Sequence, residues 1–321
     1  MPKPIASLSL DLDNRWAYLR THGVEGWQSY PSYLPTVCDR IGAVLSEFDL
    51  DITLFVVGKD LEDEANREAV AGLAAEGHEI ANHSYWHYPW LDQLEPELLE
   101  QEIADTEIAI EALTGVRPVG FRAPGFSGSP EVLSVLASRG YRYDASTFPT
   151  IIGPLAAWYA RLKSFGRHQD GRQRFASLRD GFATLAPHVV STPAGTLVEV
   201  PVTTMPVFRL PIHVTYLMYL HQFSRMAAYA YLRTSISLCR MRGVAPSLLL
   251  HPLDFLGGEE EPLLSFFPGM KVDQRSKLSL LRTLFESMQQ HFDVGPLARH
   301  AATAADALPA EITPVSIADQ V

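Results

Sequence analysis

The chain has 321 residues, 47% apolar and 20% charged, the proportions of a folded globular protein able to bury its own core as one large domain or two smaller ones. Lys and Arg number 26 against 37 Asp and Glu, a formal charge of -11 that argues against wholesale nucleic-acid binding, because phosphate contacts need a basic face. The two cysteines, Cys38 and Cys239, fit neither a zinc-finger spacing nor a disulfide framework, so they are expected as buried thiols in a reducing compartment.

Ile5 to Leu10 alternates and ends on acidic residues, Pro35 to Phe48 repeats apolar residues at helical spacing, and Ile52 to Val57 is a buried strand ended by Gly58. The order β-α-β continues. Glu64 to Glu76 is a helix, Glu79 to Asn82 a strand edge, and Glu95 to Thr114 a helix closed by Gly115 and Pro118. Gly120-Phe121-Arg122 ends another strand, Ser129-Pro130 starts a helix that Gly140 stops, and Tyr141 to Asp144 is a strand. Thr196 to Val202 and Ser247 to His251 are further strands, and a helix runs from about Gln274 to Phe292. This alternation, with polar residues at the strand ends, predicts an α/β fold built as a closed or nearly closed parallel barrel. The stretches Ile151 to Pro193 and Pro211 to Arg242 break the rhythm and are expected as helical insertions within a single domain of residues 1–300. After His300 comes a small-residue tail, 301–321, loosely ordered or packed as a short terminal helix.

The sharpest local signal is Asn82-His83-Ser84-Tyr85-Trp86-His87, in which two imidazoles four apart can share one metal ion. The spacing also suits two unrelated histidines among aromatics. Asp11-Leu12-Asp13 ends the first strand, so one carboxylate can bind metal while the other takes a proton; the pair equally suits a cap and turn beside Asn14. Taken together, a hard oxygen with two imidazoles leaves coordination positions open for water and substrate. Arg122 stands at a further strand end, before Pro124-Gly125, whose backbone amide can face an oxyanion. Tyr143-Asp144 ends a fourth strand. His251 ends a fifth and, alone, would suit a solvent-facing histidine as well as a catalytic one. Five such clusters at strand carboxyl ends are what an active site on one face of a barrel requires.

In this order the residues resemble the polysaccharide deacetylase family, also known as carbohydrate esterase family 4 or the NodB homology family. Ser9-Leu10-Asp11-Leu12-Asp13 is similar to its first motif in an Asp-x-Asp form, and His83-Ser84-x-x-His87 matches the second in full. Arg122-Ala123-Pro124 resembles the third motif, with Gly125 where an aromatic residue is frequent. Asp144 suits the fourth without its usual Trp neighbour, and Leu248-x-x-His251 suits the fifth. The resemblance implies a distorted (β/α)7-type barrel and a hydrolase that removes an acetyl or formyl group from the nitrogen of a sugar. It further implies that Asp13, His83 and His87 bind a divalent metal, zinc by default, with cobalt, nickel and manganese also accepted. Asp11 would be the general base on the attacking water and His251 the general acid for the leaving amine. Arg122 would orient Asp11, Asp144 would support Arg122 or His251, and the Gly125 amide would help stabilise the oxyanion.

No basic start with an apolar run opens the sequence and no stretch of about 18 apolar residues occurs, so a cytoplasmic protein acting on an N-acylated sugar or glycan intermediate is expected. Two features suggest peripheral contact with an anionic membrane or lipid phosphate. Arg161, Lys163, Arg167, Arg172, Arg174 and Arg179 crowd a stretch whose only acids are Asp170 and Asp180. Ile212 to Met241 places Leu217, Leu220, Phe223, Ala227 and Tyr231 at helical spacing with Arg225, Arg233 and Arg240 interspersed. A solvated loop and a helix packed on its own barrel are the plainer readings of these two segments. Two other functions fit the same scaffold: a cytosolic hydrolase of small amides, and a catalytically silent glycan-binding module, against which the intact Asp11 and His251 argue.

Overall fold

The computed structural model describes residues 2–151 and 183–307, with the backbone of a short strand at 315–316. The basic cluster between Arg161 and Arg179 lies outside the described residues.

Among the described residues ten strands form one sheet: β1 Ile5–Asp11, β2 Thr53–Val56, β3 Glu79–Asn82, β4 Gly120–Phe121, β5 Tyr143–Asp144, β6 His188–Thr192, β7 Gly195–Glu199, β8 Ser247–Leu250, β9 Asp293–Gly295 and β10 Val315–Ser316. Their order is β10-β6-β7-β5-β4-β3-β2-β1-β8, with β9 paired to the start of β1. Every pairing is parallel except the β6–β7 hairpin. The chain beyond β7 brings the two sides together, because Thr203 N donates to Ser247 O across 2.9 Å and Ser247 N to Thr203 Oγ1 across 2.7 Å. The sheet thus curls as a distorted barrel, and parallel pairing sets the carboxyl ends of β1, β3, β4, β5, β7 and β8 on one rim.

Period-two alternation in β1 separates two environments. Ala6, Leu8 and Leu10 enter the main apolar cluster with residues of α2, Leu34–Ser46, and of α8, Gln274–His291. Ser7, Ser9 and Asp11 are equally buried but take polar partners: Ser7 Oγ lies 2.9 Å from His300 Nδ1, and Ser9 Oγ and Asp11 both receive Arg122. A separate cluster unites Phe55, Ala81, Tyr143, Val198 and Val200 with Leu297 and Ala301 of α9, Leu297–Ala307. Helix α9 therefore packs on these strands at the end opposite the rim and runs past residue 300, where the tail was expected to begin.

The other helices sit outside the sheet: α1 Arg15–Thr21, α3 Glu64–Ala75, α4 Pro96–Thr114 and α5 Pro130–Ser138. The strand expected at Thr196 to Val202 is β7, which pairs with β5 inside the sheet and lies between the two stretches expected as insertions; β6 falls at the end of the first of these. Two helices follow β7, α6 Val214–His221 and α7 Arg225–Met241. The expectation of one continuous amphipathic stripe over Ile212 to Met241 is corrected here. Ser224 caps α7 by accepting from Ala227 N, so the chain breaks before it: Leu217 and Leu220 lie on α6, Ala227 and Tyr231 on α7, and Phe223 between them. Leu217 is buried, whereas Phe223 at the elbow is 72% exposed. Helix α7 turns Ala228, Leu232, Ile236 and Cys239 inward, as the plainer reading had it. Cys38 and Cys239 are both free and buried, and burial pushes each thiol up to about 12. No described helix is long and apolar enough to cross a membrane.

Candidate active site

Asp13 lies two residues beyond β1, where Tyr33 Oη donates to its backbone carbonyl across 2.5 Å and Leu12 N donates to Phe55 O across 2.9 Å. His83 follows β3 directly, and its Nδ1 lies 2.7 Å from Arg122 O. A carbonyl only accepts, so Nδ1 carries the proton and Nε2 presents a lone pair in the neutral ring. That Nε2 is 3.5 Å from Asp13 Oδ1, and His87 Nε2 is 3.0 Å from the same oxygen. One ligand atom from each of the three residues lies within 4.8 Å of the others. Asp13 Oδ1 is buried and lacks a hydrogen bond of good geometry, so the convergence has no internal explanation in hydrogen bonding. Buried lone pairs aimed at one point repel unless positive charge stands between them. An Asp-His-His set with open positions suits a divalent metal, and these three residues fit one.

The electrostatics agree. Burial alone would raise the Asp13 carboxyl, but His87 and His83 beside it hold it well below the usual carboxylate range. Burial works against a charge on His83, yet Asp11 and Asp13 raise its pKa above the ordinary value. The same negative field that would keep a proton on the imidazole would hold a cation.

Asp11 ends β1 between this trio and His251. Its Oδ1 receives Arg122 Nη1 at 2.6 Å, while its Oδ2 is 3.8 Å from His83 Nε2 and 4.0 Å from His251 Nε2. Arg122 has no exposed surface; Nη1 also reaches Ser9 Oγ at 3.0 Å, Nε donates to Ala145 O, and the guanidinium lies 4.2 Å from the centre of the Phe55 ring. His251 follows β8, its backbone N–H held by Asp254 Oδ2 at 2.8 Å. Its ring stacks on His213, with centroids 4.8 Å apart and 29° between the planes. Burial, then the neighbouring His251 and Arg122, press the His213 pKa well below its ordinary value, and its Nδ1 accepts from Thr215 N.

Asp144 is buried at the end of β5. Ser146 Oγ donates to it at 2.6 Å, and its register partner on β7 is Glu199. Its connection to Arg122 runs through the 145–146 backbone: Arg122 takes Ala145 O, and Ser146 Oγ accepts from Ala123 N. Gly125 adopts φ +61, and a Cβ there would come within 3.0 Å of Pro89, so this turn packs on the loop that carries His87. All eight residues singled out in the sequence are thereby placed along one rim. His213, Ser9, Asp254 and Glu199 were not. Ser9 had a signal, being on the same face of the alternating β1 as Asp11.

Residues 25–143 match the model of the polysaccharide deacetylase family. A peptidoglycan deacetylase-like protein, FGM2 of Gibberella zeae, is 35% identical over 111 residues, 34% of this chain and 30% of that protein. A chitooligosaccharide deacetylase of a Bradyrhizobium species is 32% identical over 111 residues, 34% of this chain and 48% of that enzyme. The chain thus spans less than half the length of either relative. Two solved structures share the fold across nearly the whole chain. One, described as a polysaccharide deacetylase from Mycobacterium smegmatis, has a TM-score of 0.63 at 21% identity, covering 98% of this chain and 93% of its own. Another so described, from Pseudomonas aeruginosa, has a TM-score of 0.58 at 15% identity, covering 96% and 93%. His83, His87 and Arg122 thus lie inside the segment that matches the polysaccharide deacetylase model, and the fold is shared with the two solved structures across nearly the whole chain.

Proposed function

We propose that the protein removes an N-acyl group, acetyl or formyl, from a sugar in a glycan or glycan intermediate, as a single catalytic domain. The observation that carries this reading is Asp11, placed between the Asp13-His83-His87 trio on one side and His251 on the other. A divalent metal, zinc by default, held by Asp13, His83 and His87 would polarise the amide carbonyl and lower the pKa of water from about 15.7 towards 7. Asp11 takes the proton of the attacking water, with Arg122 fixing one of its oxygens so that the other faces the reaction. His251 gives a proton to the amine as it leaves, which the amine needs because its anion is a poor leaving group. The Gly125 N–H is the donor offered to the oxyanion. Asp144 supports Arg122 from behind, through Ser146 and Ala145. That the Bradyrhizobium relative is a chitooligosaccharide deacetylase supports a sugar amide over a small-molecule amide.

A lipid-bearing acceptor, handled by a cytoplasmic protein at the inner membrane face, is a second reading. The exposed Tyr219, Phe223 and Met226 around the α6–α7 elbow favour it.

The test is elemental analysis of the purified protein beside a His83→Ala/His87→Ala double variant, coupled to acetate and formate release from N-acylated sugars and small amides. About one metal per chain, lost in the variant together with acyl release from sugars, is the expected result. Release from small amides alone would move the function to the small-amide hydrolase. A protein that takes up no zinc, cobalt, nickel or manganese would leave the silent glycan-binding module in first place.

A further inference from the structure

The loop joining His83 to His87 holds two non-glycine residues in the left-handed region, Ser84 at φ +59 and His87 at φ +52. Such a backbone persists only where its surroundings over-determine it. The peptide groups here can be accounted for in turn. Ser84 N is taken by Asn82 Oδ1 at 2.8 Å, Ser84 O by Gly58 N and Tyr85 O by Lys59 N, both at 3.0 Å. The close approach at Gly58 requires a glycine, since a Cβ would fall 2.4 Å from Thr106 Oγ1.

Past Tyr85 the partners are side chains of opposite charge. Glu102 on α4, itself buried, uses one oxygen, Oε2, to accept from Tyr85 N at 3.0 Å and Trp86 N at 2.8 Å. Arg20 on α1 uses Nη2 to donate to Trp86 O at 2.5 Å and His87 O at 2.6 Å. The Arg20 guanidinium is in turn set among three rings, 5.0 Å from the centres of Trp16 and Tyr88 and 5.7 Å from that of Trp27. An acid grips two consecutive amides and a base grips the two carbonyls that follow.

We infer that Arg20 and Glu102 are positioning residues that brace the backbone from Tyr85 to His87 and so aim the His87 imidazole at Asp13. The consequence for metal affinity rests on the ligand assignment proposed above; the bracing does not. Outer-shell partners of metal ligands set affinity within about 10–100-fold, which gives the size of the effect expected. Arg20 suits the task because its Nη2 meets two carbonyls while the planar guanidinium packs among rings, which a lysine does only in part.

Two readouts separate the claims. Metal-free wild type, Arg20→Met, Arg20→Lys and Glu102→Leu are titrated with Co2+ through its visible absorption, with Zn2+ in competition, and amide exchange at Tyr85 and Trp86 is followed in the same metal-free samples. Arg20→Met should bind about tenfold or more weakly, with an altered Co2+ spectrum and faster exchange at both amides, and Arg20→Lys should recover most of the loss. Should Arg20→Met fail to fold, Glu102→Leu, which leaves both amides without their acceptor, decides by the same two measurements. Exchange and affinity unchanged in the variants would overturn the brace. Faster exchange in a protein whose wild type binds no metal would sustain the brace and remove the ligand assignment instead.

Discussion

Arg122 Nη1 meets Asp11 Oδ1 at 2.6 Å in a pair closed off from water, the arginine having no exposed surface at all. Such a pair costs much to dehydrate, and removing one partner leaves the other charged and buried without compensation. Arg122→Met should lower stability by about 3–5 kcal/mol in urea unfolding, beyond what an exposed ion pair would cost. A loss below about 1 kcal/mol would mean that Asp11 finds another partner and that the pairing is incidental.

Asp11→Asn is the complementary change. Arg122 keeps an oxygen to donate to, and Asp13, His83 and His87 are untouched, so the variant should fold and carry metal like wild type. Acyl release should fall by about 10²–10⁴, the range of a positioned base. Metal loss of equal depth would show that Asp11 is a ligand and defeat the division of roles.

His213 offers a separate handle on His251. The two rings stack at 4.8 Å, and aromatic pairs contribute about 0.5–1.5 kcal/mol beyond the area they bury. His213→Ala should reduce kcat up to about tenfold with unchanged metal content, and His213→Phe should restore part of it. An unaltered kcat in His213→Ala would make the stack a packing detail.

What the sequence disclosed depended on how local the signal was. Asp11, Asp13, His83, His87, Arg122, Asp144 and His251 each close or follow a strand, and parallel pairing carries every such end to one rim, so short-range reading reached them. Helix α2 was legible from its apolar period, and α4 from the Gly115 and Pro118 that close it. His213 was not, because it emerges from the irregular chain between β7 and α6, and only barrel closure at Thr203 and Ser247 brings it over His251. Glu199 became Asp144's neighbour through the β5–β7 register, which no local pattern encodes. The α6–α7 break was missed because the apolar period runs on through Phe223, and the Ser224 cap that interrupts it is a single residue. The small-residue tail reads as loosely ordered or as a short terminal helix; its first residues, to Ala307, continue the helix begun at Leu297, and Ala301 packs against the strands.

The membrane reading turns on residues that are now placed. Phe223 and Met226 are 72% and 83% exposed beside Arg225, an apolar tip next to a cation, as an interfacial contact needs. Wild type should float with vesicles containing anionic lipid in a detergent-free gradient, and Phe223→Ser/Met226→Ser should stay behind. Wild type remaining wholly at the bottom would remove lipid contact from the function and leave a free glycan as the acceptor.

His300 gives the fold a pH dependence of defined sign. Burial presses its pKa from 6.5 down to about 4, while its Nδ1 rests on Ser7 Oγ inside the sheet. The unfolded chain takes the proton near 6.5 and the folded one resists until about 4, so between these values unfolding binds protons and stability falls as pH falls. Above 6.5 the contribution is fully present, and below about 4 it is gone; a difference of that size corresponds to about 3 kcal/mol. His300→Gln keeps a polar partner for Ser7 and has nothing to titrate. The Tm advantage of wild type over His300→Gln should therefore narrow by several degrees between about pH 7 and about pH 4.5. A gap that is constant across that range would mean that His300 takes up its proton in the folded protein as it does in the unfolded chain, so that burial at Ser7 does not oppose it.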